Sequence, residues 1–334
     1  MRELRRFVLN GVIFSGILIL LFGSWSCRKD NPGPAAAITI GTTTSEVNSL
    51  ILIAQDRGYF AGNGLNVTHR IYRSGLGAVD GMLKNEVDIG TGSEFAFAGQ
   101  VLSRKDIRTI GVINRSSVEY LVGRVDKKIN GIADLKGKRI GVPLKSRPEF
   151  SLGRFLLLRG IKDSEVTLVN VPVDQAVDAL VSGRVDAVAA WQPYVNRIRK
   201  QLGDGIVVWK TQENQPSYTL AMCTGRWSAE NPERLTGLLK SLIQAENYSI
   251  KHPEAAKTIV QKKLNYSKAY IAEVWPDYHF SVLLDQSLVV ALEDEARWLI
   301  SNKLTSEKQV PDFLGYIYED ALKAIKPAAV NIIR

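Results

Sequence analysis

Apolar and polar residues switch repeatedly between two periods along the chain. Short alternating or continuously apolar runs at residues 38–41, 65–72, 108–113, 139–142, 165–171, 206–209 and 218–223 predict strands. Between them, stretches with helical spacing occur around Leu50, Ile51, Ile53 and Ala54, at residues 94–102 and at residues 150–159. Strands that alternate with helices predict mostly parallel sheets covered on both faces. From residue 231 to 333 the pattern becomes almost wholly helical, with breaks at Pro253, Pro276, Pro311 and Pro327.

One stretch occurs twice. Ala78-Val79-Asp80 opens a frame closed by Val87-Asp88, and Ala176-Val177-Asp178 opens one of the same length closed by Val185-Asp186. Each copy reads as a short amphipathic helix, a turn and the start of a strand. The continuations differ, Ile89-Gly90-Thr91-Gly92-Ser93-Glu94 in one and Ala187-Val188-Ala189-Ala190-Trp191-Gln192-Pro193 in the other. Two similar α/β lobes with different walls on a shared cleft are expected. The paired aspartates are explained by the helix and turn that each lobe repeats, and not by carboxylate catalysis.

A chain of 334 residues also favours two globular units. Its formal charge of +9 falls to +7 without residues 1–26, which carry Arg2, Arg5, Arg6 and Glu3. Basic and acidic residues are interleaved, with no basic stripe carrying aromatics, which argues against nucleic acid. The basic start and the apolar run at residues 12–22 predict an export signal over residues 1–26, too short to span a bilayer. Cys27 then stands where bacterial lipoproteins are acylated, and residues 27–37 have the composition of a tether. Cys223 is the single cysteine after that point, so no disulfide within the body is expected. His69, His252 and His279 lack metal-ligand spacing, and no nucleophile, metal or phosphate-loop motif occurs, so neither a metal nor a cofactor is assigned.

Several segments stand in the order seen in one family: Gly41-Thr42-Thr43, Gly58-Tyr59-Phe60, Asp88-Ile89-Gly90, Asp134-Leu135-Lys136-Gly137-Lys138 and Ala190-Trp191-Gln192-Pro193-Tyr194. Over residues 38–265 the chain resembles the periplasmic substrate-binding proteins of ABC importers for sulfonates, taurine, nitrate and thiamine precursors. The resemblance implies a two-lobe, type II periplasmic-binding-protein fold of class α/β. Lobe 1 would be residues 38–118 plus 219–334 with the C-terminal helices, and lobe 2 residues 122–214, joined by two crossovers. It also implies a monomer, held to a membrane by a lipid on Cys27 in the periplasm or at the cell surface. Such a protein captures a small organic anion by lobe closure and delivers it to a permease and its ATPase. A pyrimidine or thiamine-precursor binder and a sensory lipoprotein are the alternatives. A yeast pyrimidine-synthesising enzyme shares the scaffold, but its cysteine-rich motif is missing here, so no enzyme is expected.

Ligands of open α/β sheets sit beyond the carboxyl ends of the strands. Four loops qualify. Thr43 and Thr44 belong to a hydroxyl-rich turn in which Thr44 or Ser45 also reads as a plain helix cap. Ser93 and Glu94 open the predicted helix at residue 94, with Ser93 as cap, ligand donor or both. Lys145, Ser146 and Arg147 could meet an anion at a helix start, although Ser146 and Glu149 have capping-box spacing and Arg147 could be a solvated neighbour of Glu149. Trp191 and Gln192 offer a flat apolar wall and polar groups, or a core aromatic under the next helix. Asn114 and Tyr218 border the crossovers. Glu46 and Glu94 argue for an amine on the ligand, whereas the basic residues argue for an anion.

Overall fold

The computed structural model describes residues 35–212 and 215–334. The expected export signal over residues 1–26 and residues 27–34 of the expected tether lie outside the described residues, as does part of the second crossover; Ala36 and Ala37, expected in the tether, belong instead to the first strand, where they pair with Leu65 and Asn66. Two sheets organise the rest. Strands β1 (Ala36–Thr42), β2 (Leu65–Ile71), β3 (Ile89–Ser93) and β4 (Arg108–Ser116) belong to lobe 1. Strands β5 (Glu119–Arg124), β6 (Arg139–Val142), β7 (Thr167–Asn170), β8 (Ala187–Trp191) and β9 (Ile206–Lys210) form lobe 2, and β10 (Ser217–Cys223) returns to lobe 1. The sheet orders are β11-β4-β10-β3-β1-β2 and β7-β6-β8-β5-β9, where β11 is Tyr278–His279. β1 runs parallel to β2 and β3, and β6 parallel to β7 and β8. The last strands of each run antiparallel, β10 against β3 and β4, and β5 against β8 and β9. Chain thus leaves lobe 1 between β4 and β5 and returns between β9 and β10.

The duplicated stretch does the same work in both lobes. Its helices are Gly75–Leu83 and Ala176–Val181. Both copies turn through a left-handed residue at the same position, Asn85 with φ 59° and Gly183 with φ 76°, the residue types that tolerate that conformation. Asp88 N donates to Thr39 O at 2.9 Å and accepts from Thr39 N at Oδ2, 2.7 Å. Asp186 N likewise donates to Arg139 O at 2.9 Å and accepts from Arg139 N at Oδ2, 2.9 Å. Each aspartate therefore pins the start of its strand to the neighbouring strand. Glycine in β3 has its own reason. A Cβ on Gly90 would lie 2.9 Å from Ala78 O, and one on Gly92 2.8 Å from Val79 Cγ2, so the helix Gly75–Leu83 rests directly on this strand.

One apolar cluster fills lobe 1 and continues into one side of lobe 2 through Phe150, Val171, Val177, Leu180 and Val195. A second cluster, with Leu121, Ile129, Ile140, Leu152 and Phe155, covers the other side of the lobe 2 sheet. Burying each such side chain contributes about 1.5–3 kcal/mol against water. After residue 231 the chain is mainly helical, as expected, with helices Pro232–Lys251, Pro253–Leu264, Lys268–Val274 and Gln286–Ser301. The two-residue strand β11 and the pair Leu284–Asp285 with Val330–Asn331 were not visible in the pattern, because two residues show no period. The helix Gln286–Ser301 also touches both lobes rather than lobe 1 alone. Trp298 packs edge-on against Phe95 of lobe 1 (centroids 5.8 Å apart) and Phe150 of lobe 2 (5.7 Å). Among the described residues, no helix is long and apolar enough to cross a membrane.

Candidate functional site

Residues that follow the carboxyl ends of parallel strands meet across the two sheets, Arg73 after β2 and Asp174 after β7 at 3.9 Å, and Glu94 after β3 and Arg147 after β6 at 2.9 Å. On lobe 1, three adjacent strands each lead into a helix whose first residue is preceded by serine. Ser45 follows β1 and precedes the short 3-10 helix Glu46–Asn48, which runs on into the helix Ser49–Asp56. Ser74 follows β2 and caps Gly75–Leu83, accepting from Gly77 N at 3.1 Å. Ser93 ends β3 and caps Glu94–Leu102, accepting from Ala96 N at 3.2 Å. The start of the Gly75 helix touches the end of β3, since a Cβ on Gly75 would lie 3.0 Å from Gly92 Cα. Three helix starts, each with first-turn N–H groups that lack intrahelical acceptors, are thereby set side by side.

Both acids of this row are turned into the protein. Glu46 is fully buried and accepts from the Tyr270 hydroxyl and, at 3.3 Å, from Ser45 Oγ. Burial raises its carboxyl above the usual range, against the hydrogen bond from Tyr270. Glu94 has no exposed surface and accepts from Arg147 Nε at 2.9 Å. Burial raises its carboxyl as well, against the charge of Arg147. Thr44, by contrast, is exposed, and Thr43, Ser45 and Ser93 are half-buried. Thr43 accepts from Asn48 Nδ2 at 3.2 Å.

Arg147 is neither a solvated neighbour of Glu149 nor open to the cleft. It is 5% exposed, lying between Glu94, Glu295 at 3.3 Å and Glu119 at 3.4 Å, and it also donates to Ser151, which donates in turn to Glu119. Burial works against its charge, but Glu119, Glu94 and Glu295 outweigh it and raise its pKa. The expected capping box is replaced by another pairing. Ser146 Oγ donates to Pro143 O, and Glu149 accepts from the backbone N–H of Lys145, one residue further back than a box requires. Lys145 itself is exposed, with φ 58°.

On lobe 2, Trp191 ends β8 half-buried and meets Tyr194 edge-on, with centroids 6.0 Å apart. Gln192 is buried, and its Oε1 accepts from Asn196 N at 3.2 Å; on the neighbouring strand β5 the Tyr120 hydroxyl donates to Asp277 at 3.2 Å. Tyr266 of the C-terminal region packs edge-on against Tyr270, the donor to Glu46, with centroids 4.9 Å apart. Arg73 of lobe 1 and Asp174 of lobe 2 approach to 3.9 Å at the rim. Asn114 and Tyr218 lie deeper. Asn114 Nδ2 donates to Thr219 Oγ1 at 3.3 Å, leaving Oδ1 without a partner among the described residues, and the Tyr218 hydroxyl donates to Ser287 at 2.9 Å.

Thr43, Thr44 and Ser93 thus stand at strand ends of lobe 1 and Trp191 and Gln192 at the end of β8 in lobe 2, whereas Glu94 and Arg147 belong to an internal ion cluster and Lys145 lies at the surface. Sequence reasoning missed Ser74, Tyr266, Tyr270, Glu119 and Glu295. Ser74 had a signal, a serine before a helical run. The others meet the site only through tertiary contacts. Among the described residues, no group of acids, histidines and cysteines could hold a metal ion.

Comparison with known proteins agrees with this architecture. The chain is 27% identical to the taurine-binding periplasmic protein of Escherichia coli over 244 residues, 72% of this chain and 69% of that protein. The alkanesulfonate-binding protein of Xanthomonas axonopodis, solved with MOPS, superposes with a TM-score of 0.74 at 16% identity, over 85% of this chain and 98% of that one. The desulfurization enzyme DSZB superposes with a TM-score of 0.62 at 17% identity, over 86% of this chain and 98% of that one. The fold is that of periplasmic binding proteins, and fold alone does not separate a binder from an enzyme. Residues 47–256 match the family model described as NMT1/THI5 like. The chain belongs to the NMT1/THI5-like family.

Proposed function

We propose that the protein is an extracytoplasmic solute-binding protein that captures a small organic sulfonate between its lobes and passes it to the permease of an ABC importer. The row of helix starts at Ser45, Ser74 and Ser93 carries this reading. Hydroxyls and first-turn N–H groups at three helix N-termini favour an oxyanion, and the two acids that would repel it are covered. Trp191 and Tyr194 supply flat apolar surface for the organic part of the ligand. The sulfonate is read by dipoles and hydroxyls, since Arg147 is already outweighed by three carboxylates. The taurine-binding relative and the alkanesulfonate-binding fold neighbour support the same ligand class.

Lobe closure belongs to the same proposal. A ligand favours the closed form only through contacts it makes with both lobes. Attachment through Cys27 follows from the basic start, the short apolar run and the tether composition around it. Thiol catalysis has no support in the body of the chain, because burial pushes the Cys223 thiol up to about 12, which keeps it un-ionised. A thermal-shift panel of ethanesulfonate, taurine and an aminopyrimidine tests the ligand class. At a concentration of about 100 Kd a ligand adds about 2.7 kcal/mol of apparent stability. Both sulfonates are expected to stabilise and the pyrimidine not to. Stabilisation by the pyrimidine alone would sink the sulfonate assignment.

A further inference from the structure

Four acids of the segment that follows the family match pair with basic residues of lobe 2. Glu273 pairs with Arg199 at 2.8 Å, Asp277 with Lys210 at 2.8 Å and Asp294 with Arg154 at 2.5 Å. These three pairs are partly exposed and individually weak. The fourth acid, Glu295, has no exposed surface. It lies 3.3 Å from Arg147 Nε, the same nitrogen that donates to Glu94 at 2.9 Å, so the two carboxyls meet at one guanidinium nitrogen. The charged groups that face it are Glu94 from the helix Glu94–Leu102, Arg147 from the helix Arg147–Leu157 and Glu119 from β5, with Ser151 bridging the last two.

One guanidinium cannot balance three ionised carboxylates in a site closed to water. Both oxygens of Glu295 and Oε2 of Glu94 have no donor among the described residues. A proton held between these two carboxyls gives each a partner and removes the excess charge. The geometry points to a proton-binding site at the lobe boundary, shared by Glu94 and Glu295 over Arg147 and complete only when the lobes are closed. Arg147 belongs to lobe 2, while Glu94 belongs to lobe 1 and Glu295 to the helix packed along it. Opening admits water to the two carboxyls and so removes the burial that holds the proton, the largest effect on Glu295; this outweighs the loss of Arg147, whose charge opposes protonation, and the proton is released. Burial, then the charge of Glu94, raises the Glu295 carboxyl well above its ordinary value, which has the sign this requires. Rising pH therefore favours the open form and falling pH the closed form.

The proton site bears on the hinge and goes beyond the identity of the solute. It rests on the proposed lobe motion but needs no ligand, so its test is separable from the sulfonate assignment. Small-angle X-ray scattering from the ligand-free protein would compare about pH 5 with about pH 9 for wild type and Glu295→Gln, which keeps the side-chain shape and fixes the neutral form. The wild-type radius of gyration is expected to rise with pH, and that of Glu295→Gln to stay at the compact value throughout. A wild-type radius unchanged between the two conditions overturns the inference even if the variant fails to fold. So does a variant that follows the wild-type rise. Infrared spectra near neutral pH give an independent readout: the carbonyl stretch of a buried un-ionised carboxyl is expected in wild type, and its absence there also overturns the inference.

Discussion

Asp88 and Asp186 illustrate how a charged side chain at a strand start serves the fold. Each accepts the neighbouring strand's N–H, and each also holds a second partner, Trp227 Nε1 at 2.9 Å for Asp88 and the Arg139 guanidinium at 2.8 Å for Asp186. Asp88→Ala leaves two donors without their acceptor and is expected to cost about 1–3 kcal/mol in urea unfolding, with solute affinity unchanged in the folded protein. A change in affinity comparable to the loss of stability would give the aspartate a role in the cleft. Their structural part was legible, because the same residue recurs at the same place in both copies. Arg147 was not legible in the same way. Its partners Glu94, Glu119 and Glu295 lie far away along the chain, and no local pattern shows that the helix start carrying it is buried. Arg147→Met removes the single cation from three buried carboxylates, and unfolding experiments should show a loss of about 3–5 kcal/mol. A near-neutral effect would mean that protons or water replace the lost cation at the three carboxyls.

Elements were read best where period and punctuation agree. The helix Glu94–Leu102 and the strand Arg139–Val142 match the residues expected of them, since a serine cap opens the first and a lysine-glycine turn precedes the second. The C-terminal helix Gln286–Ser301 was legible as a helix but not as a bridge, because amphipathic spacing shows that a face is buried without showing against what. Its Trp298 fills the space between Phe95 and Phe150 and lies against Gly153. Trp298→Ala should therefore cost about 3–5 kcal/mol. Because the lost contacts reach both lobes, hydrogen exchange should quicken in the helices Glu94–Leu102 and Arg147–Leu157 together. Faster exchange confined to lobe 1 would contradict the bridging role. Glycines 90 and 92 complete the picture at this scale, by letting the Gly75 helix lie low enough to bring Ser74 beside Ser93.

At the scale of the whole molecule, two α/β lobes are joined by two crossovers and by a C-terminal segment that reaches both, with a row of helix starts at the strand ends of lobe 1 and an aromatic pair, Trp191 and Tyr194, at the end of β8 in lobe 2. The lobes and their order could be read from the duplicated stretch and the strand pattern; the packing of residues after 256 against both lobes could not, because it depends on which surfaces meet. Acidity follows from the same packing. Glu46, Glu94 and Glu295 are held above their unfolded values, first of all by burial, so the folded protein binds more protons than the unfolded chain above about pH 4.3. Their contribution is fully present below that value and is lost as pH rises through the folded pKa values. Melting temperature should fall with rising pH more steeply in wild type than in Glu295→Gln, and parallel curves would remove Glu295 from that account. The central claim, capture of a sulfonate between the lobes, is tested most directly by calorimetric titration of ethanesulfonate into wild type and Trp191→Ala. Saturable one-to-one binding is predicted for wild type, weakened at least tenfold, about 1.4 kcal/mol, in a variant that remains folded. No binding to wild type, or equal binding to both proteins, would contradict it.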